Sequence, residues 1–184
     1  AGVAETLERL RFTYTGATPE VLKRCYDKPQ VKRMLRSQGV PTPKWKVLHS
    51  PAENGWNCFP AIVKPACEHC SFGIDSGAVV CDPGQLNQRV SYVLDTFQQP
   101  AIVEDFVDGR EFHVPIWGNE QVEMLPPVEI DFSAFDSPCD RLCSFDAKFV
   151  PDSTPYRKIK SWTPARLSAD ELVRLEAASK AAYQ

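Results

Sequence analysis

The stretch FPAIVKPACEHCSFGID (residues 59–75) decides how the rest of the chain is interpreted. An apolar run typical of a buried strand ends at Lys64 and Pro65, and a polar loop follows before Gly73. The loop, residues 67–71, contains two cysteines, a glutamate, a histidine and a serine. It could form a metal-binding knuckle, a redox pair or a flexible lid over a phosphate group. The residues around it have to distinguish these three interpretations.

The composition is that of an ordinary globular protein, with 43% hydrophobic and 24% charged residues among 184. A net charge of -3 argues against non-specific nucleic-acid binding, which needs a basic face. No apolar run approaches the ~20 residues of a membrane span, and no signal peptide is visible. Seven cysteines, an odd number, are interpreted as reduced thiols of a cytoplasmic protein.

Helical and strand signals follow one another in a mixed order that predicts an α+β fold. Helices are predicted over residues 4–12, from Thr18-Pro19, over Asp27 to Gln38, from Asp82-Pro83 through Phe97, and from the capping box at Ser168 to Gln184. Strands are predicted in KWKVL (44–48), PAIVK (60–64), SGAVVC (76–81), AIVEDFV (101–107), REFHVPIWG (110–118) and QVEMLPPVEI (121–130).

A tight turn at Asp108-Gly109 is predicted to join the strands 101–107 and 110–118. Alternation with apolar neighbours predicts that His113 is packed in its strand, and Trp117 is expected in the core. The first helix has no start signal and the last has no stop signal, so we expect an internal piece of a longer protein.

Several predicted segments begin or end with charged residues of the kinds that bind nucleotides. Lys28 opens a helix, Lys64 ends a strand, Lys148 lies in FDAKF, and Glu111 follows Gly109. Ammonium groups neutralise phosphate charge, and a carboxylate accepts hydrogen bonds from sugar hydroxyls. Three separated lysines and one glutamate therefore suit a polyphosphate that carries a ribose.

Five segments in order carry a family resemblance that covers nearly the whole chain. They are YTG (14–16), YDKPQVKRMLRSQGVPTP (26–43), FPAIVKPACEHCSFGI (59–74), AIVEDFVDGREFHV (101–114) and FDAKF (145–149). Their order and spacing resemble those of the ATP-grasp ligases, and in particular the D-alanine–D-alanine ligase family.

The resemblance implies an incomplete ATP-grasp fold, in which two antiparallel-sheet subdomains grip a nucleotide. Residues 1–103 would be the central subdomain with its preceding helices, and residues 104–184 part of the C-terminal subdomain. It further implies an ATP-dependent carboxylate–amine ligase that acts through an acylphosphate on small amino acids, as in cytoplasmic peptidoglycan synthesis for the cell wall. ATP and Mg²⁺ would be its cofactors. The resemblance leaves open whether the protein forms a homodimer.

The resemblance also implies roles for individual residues. Lys28 and Lys64 would hold the ATP phosphates, and the loop from Glu68 to Ile74 would close over them. The expected nucleotide-binding set is Lys28, Lys64, Glu68, Cys70, Ser71, Glu104, Asp105, Phe106, Val107 and Glu111. In this set, Glu104 would meet the adenine amino group, and Glu111 the ribose. The expected catalytic residues are Lys148 and Ser71.

Two departures from the family pattern affect these expectations. His69 stands where the family has a glycine, which removes backbone freedom, and Cys70 replaces a serine with a weaker hydrogen-bond donor. The family's magnesium ligands, an aspartate and then a glutamate with an asparagine, would lie beyond Gln184. No metal ligand is therefore assigned in this chain, and the chain alone is expected to be inactive.

Two interpretations from other classes stay open. One is a non-catalytic nucleotide-binding or interaction module that keeps the fold. The other is a zinc-bound structural domain built from Cys67, Cys70, Cys139 and Cys143, although nearly seventy residues separate its two halves. A redox Cys-x-x-Cys would normally open a helix, whereas here a glycine and a strand follow. We prefer the phosphate lid.

Overall fold

The computed structural model describes residues 2–53 and 55–184. Ala1 and Asn54, which fall within the predicted range 1–103, lie outside the described residues.

Several helices begin directly after a residue whose side-chain oxygen accepts a backbone hydrogen bond. The sequence predicted the starts at Thr18, Asp27, Asp82 and Ser168, but not those at Ser144 and Ser153. These helices, with their capping residues, are α2 (Pro19–Tyr26, Thr18), α3 (Lys28–Ser37, Asp27), α4 (Pro83–Phe97, Asp82), α5 (Phe145–Phe149, Ser144), α6 (Thr154–Lys158, Ser153) and α7 (Ala169–Tyr183, Ser168). The capping box of α7 is confirmed, with Glu171 reaching back to the backbone of Ser168. The helix at the N-terminus is α1 (Gly2–Arg9).

A four-stranded antiparallel sheet forms the first half of the molecule. Its strands are β1 (Trp45–Leu48), β2 (Ala61–Pro65), β3 (Val79–Val80) and β4 (Ala101–Asp105), in the order β1-β4-β2-β3. One face packs on α4, and the buried core between them consists of Leu48, Ala61, Val63, Val80, Leu86, Val90, Val93, Ala101 and Val103. Because side chains alternate across a sheet, the other face is left for Ile62, Lys64, Ile102 and Glu104.

The second half contains a three-stranded antiparallel sheet and a two-stranded one. The first consists of β5 (Glu111–His113), β8 (Val128–Asp131) and β9 (Lys160–Trp162), in the order β5-β8-β9. The second pairs β6 (Ile116–Trp117) with β7 (Glu123–Met124). Pro126 and Pro127 lie between β7 and β8, where neither has to supply a ladder hydrogen bond. The mixed fold of helices and antiparallel sheets matches the α+β expectation.

The predicted tight turn at Asp108-Gly109 is wrong as a connection between paired strands. β4 ends at Asp105 and pairs with β1 and β2, whereas β5 begins at Glu111 and pairs with β8. The intervening segment therefore connects two different sheets. The predicted division between residues 103 and 104 falls within β4, and where the two subdomains divide stays a prediction.

Two predictions of burial are also wrong. The side chain of His113 is 50% exposed, and Trp117 is 62% exposed. Both lie on short strands and have polar partners there, since His113 approaches Glu111 at 3.2 Å and the Trp117 indole N–H donates to Glu123 at 3.1 Å. Among the described residues, no helix is both long and apolar enough to cross a membrane.

Candidate nucleotide site

Three lysines surround one buried glutamate on the face of the first sheet opposite α4. Glu104 is 6% exposed. Its Oε2 lies 3.1 Å from Lys64 Nζ and its Oε1 lies 3.4 Å from Lys32 Nζ. In the β2–β4 register Ile62 is opposite Glu104, so Lys64 and Glu104 project from the same face as diagonal neighbours. Lys28 lies one helical turn before Lys32 on α3, which brings it to the same cluster.

Lys28 is the most constrained member of this group. Its ammonium donates to the carbonyl oxygens of Pro65 at 3.0 Å and Glu68 at 2.5 Å, where β2 passes into the loop. The pKa of Lys28 is lowered to about 8, mainly by burial and then by the neighbouring Lys64 ammonium, while Cys67, Glu68 and Glu104 act in the opposite direction. Burial likewise lowers the pKa of Lys32. Three ammonium groups thus lie near one buried carboxylate.

The loop that follows Lys64 is held to the first sheet at its start. Gln99 donates to Glu68 Oε1 at 2.9 Å and accepts from the backbone N–H of Cys67 at 2.6 Å. The backbone carbonyl of Glu68 thus accepts a hydrogen bond from Lys28, and its carboxylate accepts one from Gln99. Gly73 has a φ of +73°, and a Cβ there would lie 2.5 Å from Cγ of Pro65, so the loop passes too close to β2 for a side chain.

The backbone strain that the sequence suggested at His69 lies one residue later. Cys70 and Ser71 have φ values of 55° and 61°, in the left-handed region that favours glycine. His69 instead packs its ring edge-on against Tyr26, with ring centroids 4.1 Å apart. Burial lowers the pKa of His69, and Lys28 adds to the shift.

The loop also contacts the second half of the molecule. Ser71 Oγ donates to the carbonyl oxygen of Cys143 at 2.8 Å. The ring of Phe72 packs against Phe145 of α5 with centroids 5.0 Å apart. The loop therefore joins the end of β2 to the segment from Cys143 into α5.

The predicted hinge, residues 104–107, follows directly from the cluster. Asp105 ends β4, and its Oδ1 is buried with no hydrogen-bond partner. Phe106 is half-buried and donates its N–H to the carbonyl oxygen of Pro60 at 3.2 Å. Val107 is 67% exposed. Asp105 Oδ1 is thus a buried acceptor without a partner among the described residues, and Val107, two residues later, presents an exposed apolar side chain.

On the second sheet, the predicted ribose residue Glu111 lies at the start of β5. Its Oε1 is 3.2 Å from Nε2 of His113. Lys148 is exposed on α5, close enough to lower the pKa of the Cys143 thiol, whose dominant shift is upward through burial. Glu111 also approaches Cys143. The second-sheet residues and the lysine cluster are thus connected through the loop contact at Cys143.

The sequence interpretation missed Lys32 and Gln99. The signal for Lys32 was its position four residues after Lys28 on a helix, which places both side chains on one face. Nothing in the sequence marked Gln99, which follows the end of α4 and reaches the loop only because β2 and β4 are neighbours.

The four cysteines of the zinc alternative do not converge. Among residues 2–53 and 55–184, the group of potential metal ligands that lies within 4.8 Å of one another is Glu111, His113 and Cys143. Cys139 instead faces Cys81, with the two sulfur atoms 3.8 Å apart.

The described residues do not fit magnesium, which prefers several oxygen ligands in octahedral geometry. Glu129 is engaged by Arg110 at 2.7 Å, a contact that lowers the pKa of the glutamate. Asp131 accepts a hydrogen bond from the backbone N–H of Ser133 at 2.8 Å. The candidate metal group contains a thiol and an imidazole, which are softer ligands than magnesium takes.

Known proteins resemble this chain in sequence. The sequence profile described as the D-ala D-ala ligase C-terminus matches residues 34–184. The uncharacterized protein y4sG of Sinorhizobium fredii is 36% identical over 164 residues, which cover 86% of this chain and 47% of that protein. The D-alanine–D-alanine ligase of Aquifex aeolicus is 31% identical over 159 residues, which cover 84% and 50%.

A solved structure extends the likeness to the fold. The D-alanine–D-alanine ligase of Bacillus anthracis complexed with ATP superposes with a TM-score of 0.70 at 25% identity, covering 100% of this chain and 55% of that one. The chain spans about half the length of the curated relatives that it matches.

Proposed function

The chain belongs to the D-alanine–D-alanine ligase family, and from that premise we propose that it forms the ATP-binding part of an ATP-dependent carboxylate–amine ligase. The ATP complex of the Bacillus anthracis relative supports a nucleotide as the ligand.

The lysine cluster is the observation that carries the proposal. Lys28, Lys32 and Lys64 lie near the single buried carboxylate of Glu104, and the pKa of Lys28 is depressed by burial first and by the Lys64 ammonium second. A polyphosphate would supply that charge and would accept charge-assisted hydrogen bonds from the ammonium groups.

The proposed roles follow the order of the elements. Lys28 and Lys64 bind the phosphates, and the loop with Glu68, Cys70 and Ser71 covers them. The hinge of Glu104, Asp105, Phe106 and Val107 receives the adenine, and Glu111 receives the ribose. Lys148 and Ser71 act on the phosphoryl group in transfer, Lys148 by offsetting its charge and Ser71 by donating a hydrogen bond.

The proposed reaction has two steps. A carboxylate oxygen of one substrate attacks the γ-phosphorus of ATP, so that ADP leaves and an acylphosphate forms. The amine of a second substrate then attacks the acyl carbon, and inorganic phosphate leaves. Activation is needed because a carboxylate is a poor electrophile. Small amino acids such as D-alanine, for peptidoglycan synthesis in the cytoplasm, are the proposed substrates. Magnesium would offset phosphate charge in an intact ligase of this family.

Calorimetric titration with ATP tests the nucleotide site. Lys28→Met and Lys64→Met should each weaken ATP binding by about 1–3 kcal/mol, as expected for loss of a charge-assisted contact. Lys23→Met is the matched control, since Lys23 is an exposed lysine on the neighbouring helix α2 that pairs with Glu5. Equal ATP affinities for all three variants and the parent would show that the lysine cluster does not bind the nucleotide.

A second candidate is a nucleotide-binding module without catalysis, which would use the same lysine cluster and hinge. Phosphate release from the chain with ATP, magnesium and a panel of D- and L-amino acids separates the two. Amino-acid-dependent release supports the ligase, and ATP binding without release supports the module.

A further inference from the structure

Three chemically different side chains meet between the second sheet and the segment before α5. Glu111 and His113 are two residues apart on β5 and so project from one face. Cys143, in the segment before α5, lies close to both, and the ligand atoms of all three residues are within 4.8 Å of one another. Ligand atoms around tetrahedral zinc are roughly 3.3–3.8 Å apart, as its bond lengths require. Small side-chain rotations would close the remaining gap.

We propose that Glu111, His113 and Cys143 bind a thiophilic divalent cation, with zinc as the favoured ion. A carboxylate, an imidazole and a thiolate are each established zinc ligands, and the mixed set is unsuited to magnesium or calcium. Binding displaces the Cys143 proton to solvent, and the two anionic ligands then balance the charge of the ion. Three protein ligands leave a fourth position for water.

The backbone on both sides of the site is already fixed. β5 is paired along its length with β8. The carbonyl oxygen of Cys143 accepts from Ser71, and the N–H of Phe145 donates to the carbonyl oxygen of Ile74 at 3.0 Å. His113 and Glu111 already approach to 3.2 Å. Metal binding therefore needs no rearrangement of the chain, only rotation of side chains, of which His113 is exposed.

One neighbour opposes the cation. The ammonium of Lys148 acts electrostatically on Cys143 and would also repel a metal ion there. Removing this charge should strengthen metal binding, whereas removing a ligand should weaken it. A purely structural effect of substitution would not produce opposite signs at these neighbouring positions.

The test is metal titration of the reduced full chain. Cobalt, which takes zinc sites, should bind as one ion per chain with a thiolate-to-cobalt charge-transfer band, and zinc should displace it. Cys143→Ser and His113→Asn should each lower zinc affinity by on the order of tenfold or more, and Lys148→Met should raise it. Cys139→Ser is the control, because Cys139 faces Cys81 outside this cluster.

Zinc affinity that is equal in the parent, Cys143→Ser and His113→Asn would overturn the proposal. So would a loss of affinity in Cys139→Ser as large as that in Cys143→Ser. His113→Asn keeps the test decisive if Cys143→Ser does not fold, because the histidine is exposed.

A second measurement rests on the proposed function, in which Glu111 contacts the ribose. If both assignments hold, zinc and adenosine compete for Glu111, and saturating zinc weakens adenosine binding. Adenosine is the probe because it carries the ribose without phosphates that would themselves chelate zinc. Unchanged adenosine affinity would remove Glu111 from the ribose site, while the direct titrations still decide the metal site.

Discussion

Ser71 Oγ lies 2.8 Å from the carbonyl oxygen of Cys143 and donates a hydrogen bond across 72 positions of sequence. This contact joins the loop after β2 to the segment before α5. It links the half of the molecule that carries the lysine cluster to the half that carries Glu111.

Ser71→Ala should destabilise the chain and loosen the loop. It removes a half-buried hydrogen bond while keeping the same backbone strain, so a loss of about 1 kcal/mol is expected. Urea unfolding measures the stability, and amide hydrogen exchange over residues 67–78 measures the local opening. Ser76→Ala, an exposed serine in the same loop, should change neither quantity. Equal exchange in both variants would show that the Ser71 contact does not hold the loop.

Gly73→Ala should destabilise the chain far more than Gly39→Ala. Both glycines have a φ of +73°, so the conformational cost of alanine, about 1–2 kcal/mol, is shared. A Cβ at Gly73 would lie 2.5 Å from Pro65, whereas nothing lies within 4 Å at Gly39. The difference between the two unfolding free energies therefore measures the clash with β2. Equal losses would mean that the loop can move away from β2 without cost.

Glu104→Gln should cost about 3 kcal/mol of stability, the usual effect of removing one partner from a buried ion pair. The substitution leaves the ammonium groups of Lys32 and Lys64 without their shared carboxylate. Glu120→Gln, at an exposed glutamate, is the control and should be near neutral. Thermal and urea unfolding of both variants give the comparison, and a loss no larger than that of the control would contradict the buried pair.

ATP affinity should fall as the pH rises through about 8. The folded chain holds the Lys28 proton less tightly than an ordinary lysine of pKa 10.5, with Lys64, Cys67, Glu68 and Glu104 as its charged neighbours. Without nucleotide, the destabilisation from this depressed pKa is fully present below about pH 8 and disappears as the pH rises toward the unfolded value. Bound polyphosphate favours the ammonium form, so ATP binding takes up a proton above that pH.

Calorimetry at about pH 7 and about pH 9 measures this dependence, with an expected loss of up to about tenfold in affinity. Lys28→Arg is the control, because a guanidinium stays charged throughout. If the parent loses no more affinity than Lys28→Arg over this range, Lys28 does not titrate in the nucleotide site.

Local signals in the sequence predicted the longer helices, because caps act over three or four residues, but missed the short helices α5 and α6. Thr18, Asp82 and Ser168 each begin a helix where expected. The family motif similarly located Lys28 and Lys64, and the structure brings them close enough to affect one another electrostatically.

What the sequence could not supply were relationships between distant segments. AIVEDFV and REFHV look like the two arms of a hairpin, yet their strands belong to different sheets. Lys32 looked like an ordinary helix lysine, and only the neighbouring β4 makes it a partner of Glu104. Cys143 gave no sign of meeting His113, since that contact depends on how the loops fold over β5.

The position of β4 has a consequence for how the chain reaches its fold. β4 is the last strand of its sheet in sequence, yet it lies between β1 and β2 and pairs Trp45 with Glu104. During synthesis, β1 and β2 therefore have no partner between them until residues 101–105 have left the ribosome. Such long-range pairing slows folding and leaves strand edges exposed to other nascent chains. Completion of this sheet, rather than formation of any helix, is the step at which we expect chaperones to act.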